Sequence, residues 1–464
     1  MTQDIGDEDV LDGGAEPAET EPVERSRFTR RRDVVAVVVI AAAALVAGIL
    51  VWQSGDIRAT SSTTYGGPAP SPVQPTAFPP SLGEAWRATS TATPAPVAVG
   101  PAVLTGNGGE VAGRDPISGE VRWRYRRDLP LCTLAAAWSM GIAVYEKSAN
   151  LLPEGDSRKS GGCSEVTALD PATGKRGRQP QPGEEREKPD GGQRNSDAEL
   201  DTRLLFDGNY VTTTGDRLLT TWRSDLVQTM EYGQVPAMVN PEKQPRTGCE
   251  YKTTAVVQGK IAVVEDCPDD DGDRLTIYRA TGDNDSEKPQ VVASVAVAED
   301  TRVVAMTDRC QLNPADEEEL QQCTAVVVPD PARLLVLNEK GEQIASYPLS
   351  LGPGDLDEQP ADHVVPTTRT PVAVYWFTGS RTIALSAADL SPLWTVEGSL
   401  GPGTMFAGQM LVPVTDGLRV LRPASGEPVG TLPVNRGDYS GQVTMSTLGP
   451  MVYEQRGDTL VAMR

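Results

Sequence analysis

Few side chains in this sequence are equipped for chemistry, so the spacing of those few carries most of the argument. The sole histidine is His363. No Gly-x-Ser-x-Gly pattern accompanies it, so it reads as a loop residue rather than the base of a hydrolytic triad. One histidine also excludes a metal site built on imidazoles. The densest acidic run is Asp269-Asp270-Asp271-Gly272-Asp273. Read as a calcium loop with Gly272 at the sixth position, it puts Cys267 first and Tyr278 twelfth, where carboxylates are needed. It therefore reads as a solvated turn. Arg436-Gly437-Asp438 and Arg456-Gly457-Asp458 have the form of adhesion tripeptides, yet Gly-Asp is ordinary hairpin-turn chemistry.

The cysteines are Cys132, Cys163, Cys249, Cys267, Cys310 and Cys323. No Cys-x-x-Cys occurs, so neither a dithiol redox site nor a zinc knuckle is indicated. Connectivity does not follow from sequence alone. Pairing 132 with 163, 249 with 267 and 310 with 323 closes three local loops and is the pairing expected. No catalytic, cofactor-binding or metal-ligating residue is assigned, and no cofactor is expected.

The segment that places everything else is Val34 to Trp52, 19 residues without a charge or a proline. As a helix it covers roughly 28 Å, the hydrocarbon thickness of a bilayer. Arg25, Arg27, Arg30, Arg31 and Arg32 precede it, and only Asp56 and Arg58 follow closely. The positive-inside rule puts the N-terminus in the cytoplasm and the C-terminal body outside. The run is too long for a cleaved signal peptide, so a retained single-pass anchor in the plasma membrane is expected. Residues 1–33 form an acidic, arginine-ended tail, read as disordered. Residues 53–81 are rich in Pro, Ser and Thr and read as an extended stalk.

Residues 82–464 are the body, too long for one ordinary core unless built by repetition. The chain holds 45 Gly and 38 Pro, which suits many short strands joined by turns. Its net charge of −22 argues against nucleic acid as a partner. Strand, tight turn, strand, Asp- or Asn-containing turn ending in Gly, then a strand often carrying Trp, recurs along the body. The first copy runs through Asn107-Gly108-Gly109 and Asp115-Pro116-Ile117-Ser118-Gly119 to Trp123. The second reads Ala168-Leu169-Asp170-Pro171-Ala172-Thr173-Gly174-Lys175. Later copies include Leu334 to Gly341, Val372 to Trp394 and Val420 to Glu427, with Gly426 closing its turn. The last copy stops after three strands, while Gly83-Glu84-Ala85-Trp86-Arg87 at the start looks like a fourth. A first strand that completes the last blade closes a ring and hides its edges. This predicts an all-β, eight-bladed propeller of four-stranded antiparallel blades; seven is the alternative count, because copies three to five are degenerate. Residues 176–200 and 311–322 read as long polar loops.

The segments around Asp115 and Asp170 resemble the repeat of the quinoprotein-like (PQQ-type) β-propeller family, approximately A-L-D-x-x-T-G-x-x-x-W. In that pattern Asp115 and Asp170 cap the turn, Ser118 or Thr173 supports it, Gly119 and Gly174 supply positive φ, and Trp86, Trp123 and Trp394 pack between blades. Arg178 stands where the second copy should have Trp. Dehydrogenases of the family hold pyrroloquinoline quinone and calcium and carry adjacent cysteines, which this sequence lacks. In fold the reading is also similar to the scaffold propeller of an outer-membrane barrel-assembly machinery, although the anchor differs. The expectation is a non-enzymatic, membrane-anchored extracytoplasmic propeller that binds envelope proteins or a wall component. The alternatives are a PQQ- and calcium-dependent oxidoreductase, or a ligand sensor acting through a partner. Oligomeric state is left open.

Overall fold

The computed structural model describes residues 31–54, 59–146, 162–177, 193–200, 203–235, 241–282, 288–311 and 320–464. The chain forms two compact units, Met1–Arg58 and Ala59–Arg464. The acidic tail through residue 30 lies outside the described residues.

In the first unit, Arg31–Ser54 is one α-helix. Its stretch Arg31–Ile49 has mean hydropathy 2.2, and none of it is buried. Val35, Val37 and Ile40 are all at least 60% exposed. By length and composition this helix is able to cross a membrane.

The second unit is a ring of eight sheets. Blade 1 is built from Val97–Val99, Ala102–Asn107, Glu110–Arg114 and Val121–Arg127; blade 2 from Leu131–Ala137, Met140–Glu146, Cys163–Leu169 and Gln193–Leu200. Blade 3 holds Leu204–Phe206, Val211–Thr213, Leu218–Trp222 and Gln228–Gly233; blade 4 holds Glu250–Val257, Lys260–Asp266, Asp273–Arg279 and Val291–Ala296. Blade 5 follows with Arg302–Gln311, Leu320–Pro329, Ala332–Leu337 and Gln343–Pro348, and blade 6 with Thr367–Arg369, Ala373–Phe377, Arg381–Ser386 and Pro392–Glu397. Blade 7 comprises Thr404–Phe406, Gln409–Val414, Gly417–Leu421 and Pro428–Pro433. Blade 8 takes Val443–Leu448, Met451–Arg456 and Thr459–Met463 from the end of the chain and Glu84–Thr89 from the start of the body.

The burial pattern explains the apolar runs. Second strands are covered on both faces: Ala373–Phe377 and Met451–Arg456 are buried at every position, as expected for strands packed between neighbouring sheets. Outer strands such as Val121–Arg127 alternate between buried and exposed. The core is divided among blade interfaces. Leu104, Val111 and Trp123 of blade 1 meet Leu134, Ala143 and Tyr145 of blade 2.

Ring closure follows the sequence-based expectation. Glu84–Thr89 pairs antiparallel with Thr459–Met463, and Gly83 and Arg464 exchange two backbone hydrogen bonds of 2.9 Å. Thr459–Met463 thereby has a partner strand on both sides.

Three stretches differ from expectation. Part of the stretch read as a stalk runs along the propeller: Thr60–Thr63 is a fifth strand on blade 1, pairing with Arg124–Arg127. Tyr65 N–H donates to the Thr173 carbonyl at 3.0 Å, and Phe78 packs against the core of blades 7 and 8. Ser and Thr serve as readily on an exposed sheet edge as in a spacer, so composition did not separate the two. The polar stretches read as loops also contribute strands. Gln193–Leu200 is the outer strand of blade 2, and Leu320–Gln322 begins the second strand of blade 5. Residues 178–192 and 312–319 lie outside the described residues.

The sulfur pairs are Cys132–Cys163, Cys249–Cys267 and Cys310–Cys323, with Cα separations of 6.0, 4.2 and 5.6 Å. Each staples strands within one blade.

Candidate functional site at the mouth of the channel

The repeat residues assemble one recurring joint. Asp115 Oδ1 accepts the backbone N–H groups of Ile117 and Ser118 at 2.9 and 2.8 Å, and Asp170 Oδ1 accepts from Thr173 N–H and Thr173 Oγ1, both at 2.8 Å. Gly119, Gly174 and Gly426 close these turns at φ +76°, +74° and +68°. Over each lies a tryptophan of the preceding blade. Trp86 donates its indole N–H to the Pro116 carbonyl at 3.1 Å, Trp123 to Pro171 at 2.8 Å and Trp394 to Pro423 at 3.0 Å. A Cβ on any of the three glycines would lie 2.5–2.6 Å from an indole carbon. Glycine is thus required twice, for positive φ and for the approach of the ring. These residues lock blades together and do no chemistry.

The remaining candidates dissolve into structure. Arg436 and Arg456 are buried, and both engage buried Glu454, so neither Arg-Gly-Asp tripeptide presents its arginine. In the acidic turn, Asp270 is held by Arg274, and Asp273 takes Lys252 Nζ at 2.8 Å and Thr301 N–H at 3.0 Å. Asp269 and Asp271 face solvent. Cys249, Glu265 and Cys267 converge within 4.8 Å, but both sulfurs are spent in a disulfide.

The geometry brings together a different set. One cavity of about 1010 Å³ opens over the channel, lined by residues from the start of several inner strands. One wall is the long connection between blades 5 and 6, residues 349–366. Asp355, buried, accepts Gly352 N–H at 2.7 Å and Ser380 Oγ–H at 3.0 Å. Arg302 donates to the Leu356 carbonyl. Farther on, His363 Nε2 lies 2.9 Å from Asp216 Oδ1 of blade 3. The connection therefore spans the channel mouth from blades 5 and 6 to blade 3. Leu356, Asp362 and His363 hold φ of +69°, +53° and +58°, a sterically costly set for residues with a Cβ.

Arg203 and Arg302 face this cavity. Burial pulls Arg203 below the usual guanidinium range, with Asp362 opposing; burial does the same to Arg302, opposed by Asp300 and Asp357. Buried Arg302 Nε and Thr133 Oγ1 have no hydrogen-bond partner. The sequence reading missed this site. Its one signal was residues 349–366 themselves, a long acidic stretch without strand periodicity, of the kind that is usually functional.

Fold and joints together define the class: an eight-bladed propeller whose blades are docked by tryptophans. No protein-family model matches the chain, and no curated protein matches it. Among solved structures it is similar to BamB from Moraxella catarrhalis (12% identity over 82% of this chain and 97% of that one, TM-score 0.45). It is also similar to quinohemoprotein alcohol dehydrogenase from Comamonas testosteroni (11%, 83% and 76%, TM-score 0.47) and to Sqt1 from Saccharomyces cerevisiae (9%, 83% and 99%, TM-score 0.48). At these identities the likeness concerns the fold alone.

Residues around the cavity offer no tryptophan floor for a planar quinone. The cavity's one tryptophan, Trp376, is 1% exposed and offers no ring face as a floor. All six cysteines are in non-adjacent disulfides.

Proposed function

We propose that this chain is a single-pass membrane protein whose extracytoplasmic propeller is a non-enzymatic binding module for envelope proteins or a wall component. The observation that carries the reading is the channel mouth. A strained connection of the chain's own bridges it, on a ring stiffened by tryptophan docks and disulfides, so the molecule offers a rigid recognition surface around a polar cavity. The apolar helix Arg31–Ser54 supports the anchor. The arginines before it support a cytoplasmic N-terminus, and disulfides within the blades support an oxidising compartment for the propeller.

In-cell crosslinking of the full chain, followed by detergent extraction and mass spectrometry, tests the reading. A reproducible set of envelope components, lost on deleting residues 82–464 and kept on deleting residues 1–24, is expected. Stoichiometric quinone absorbance with dye-linked alcohol oxidation after reconstitution with pyrroloquinoline quinone and Ca²⁺ would overturn it.

A further inference from the structure

We propose that the face of the ring bearing the channel-mouth cavity docks a basic polypeptide, a Lys- or Arg-rich segment of an envelope protein, with a cationic side chain entering the cavity. This deepens the protein-binding reading above and rests on it. Up-and-down blades give the ring two faces. Connections entering the first strands and turns between second and third strands lie on one; the other turns lie on the opposite face. The cavity belongs to the former: Thr133 and Arg302 stand at the starts of first strands, and Gly379 and Gly457 sit in second-to-third turns. Charge is divided unequally between the faces. On the cavity face, Asp128, Asp271, Asp330, Glu358, Asp416 and Asp458 are exposed, in turns and connections from blade 1 round to blade 8. Among the described residues of these segments the exposed cation is Arg217, and it is spent on Glu250. On the opposite face acids and bases are mixed. Arg223 holds Asp225, Arg422 holds Glu427, and Lys175 and Arg176 stand exposed. Solubility alone would acidify both faces. An acidic face backed by a mixed one steers a basic partner to one side of the ring.

The cavity at the centre of that face carries the same sign. Asp357, Glu358, Asp362 and Asp458 line it against Arg203 and Arg302. Asp362 opposes Arg203 and Asp357 opposes Arg302, which leaves Glu358 and Asp458 as surplus negative charge. Two buried acceptors add to it. Thr133 lines the cavity and is fully buried with its Oγ1 unpartnered. Asp355, 8% exposed, keeps its Oδ1 unpartnered. That oxygen is 3.2 Å from where a Cβ on cavity-lining Gly379 would stand. An ammonium or guanidinium brings the N–H donors that both oxygens lack. The cavity's volume of about 1010 Å³ is ample for one long side chain. The same field repels anionic lipid and polyanionic wall polymers, so a basic protein segment is the occupant.

Fluorescence anisotropy of a labelled dodecapeptide of alternating Lys and Gly tests this, titrated with the full chain in nonionic detergent at about 0.1 M salt. Binding that weakens steeply with added salt is expected, and none by the same peptide with Gln in place of Lys. Glu358→Gln combined with Asp458→Gln should weaken it about fivefold to tenfold. Glu120→Gln combined with Glu427→Gln makes the same change of charge on the opposite face and should leave it within about twofold. All four positions are exposed, so both variants are expected to fold, and the acidic N-terminal tail is identical in the two. No binding of the Lys peptide, equal binding of the Gln peptide, or an equal loss in both double variants, the mark of diffuse attraction to an acidic protein, would overturn the proposal. Protein capture in the crosslinking experiment is read separately, so a negative titration with capture intact removes this face and leaves the scaffold reading standing.

Discussion

At the residue scale, the telling contrast is between glycines that share a backbone conformation and differ in what lies above them. Gly174 holds φ +74° with Trp123 over it, whereas Gly108 holds φ +59° with open space. Gly108→Ala should cost about 1 kcal/mol, from backbone strain alone. Gly174→Ala adds a collision with a ring that is fully buried and should cost clearly more, read as a larger drop in thermal midpoint. Trp123→Ala should cost about 3–5 kcal/mol by chemical denaturation. The buried Arg436–Glu454–Arg456 cluster makes a second residue-scale case. Glu454→Gln strands two guanidiniums in the core and should destabilise by about 3–5 kcal/mol, whereas a mutation at exposed Asp438 should be nearly silent. That difference separates a structural arginine from an adhesion tripeptide.

At the element scale, each disulfide holds strands of one blade that the ladder already pairs or nearly pairs. The Cys132–Cys163 bridge spans 31 residues, including residues 147–161, which lie outside the described part. Replacing both cysteines by alanine should lower stability by about 3–4 kcal/mol on a loop-entropy account, measured by urea unfolding. The tryptophan docks show how element and repeat are related. The turn around Asp170 is as well formed as the one around Asp115, although Arg178 replaces the following tryptophan. Val295 of blade 4 takes the tryptophan's place in its own joint, lying against Gly341 of blade 5. The turn is local chemistry, while the dock needs a second blade, so copies degenerate in the ring contact before they degenerate in the turn.

For the whole molecule, closure is the decisive contact, because a strand from the start of the body completes the sheet at its end. A chain beginning at Leu82 should keep the ring. One beginning at Ser90 leaves Thr459–Met463 as an open edge and should aggregate, read by size-exclusion chromatography. Membrane topology is tested at the same scale. After reduction, a membrane-impermeant thiol reagent should label the propeller cysteines in intact cells, and failure to label would reverse the proposed orientation.

The sequence by itself determined the apolar helix, the repeat and the closing strand, and it made the pairing of neighbouring cysteines the expected one. These are short-range patterns: periodicity, turn chemistry and the proximity of residues a few strands apart. Three things were decided only by the tertiary structure. Thr60–Thr63 became an edge strand because blade 1 offered it backbone partners, which composition does not encode. Glu454 gathered Arg436 and Arg456 from two tripeptides that looked exposed. Arg203, just before Leu204–Phe206, and Arg302, at the start of Arg302–Gln311, came to line one cavity, beside a connection that reaches across to Asp216. Closing a ring brings residues distant in the chain to a common centre, and no local pattern in the sequence records that convergence.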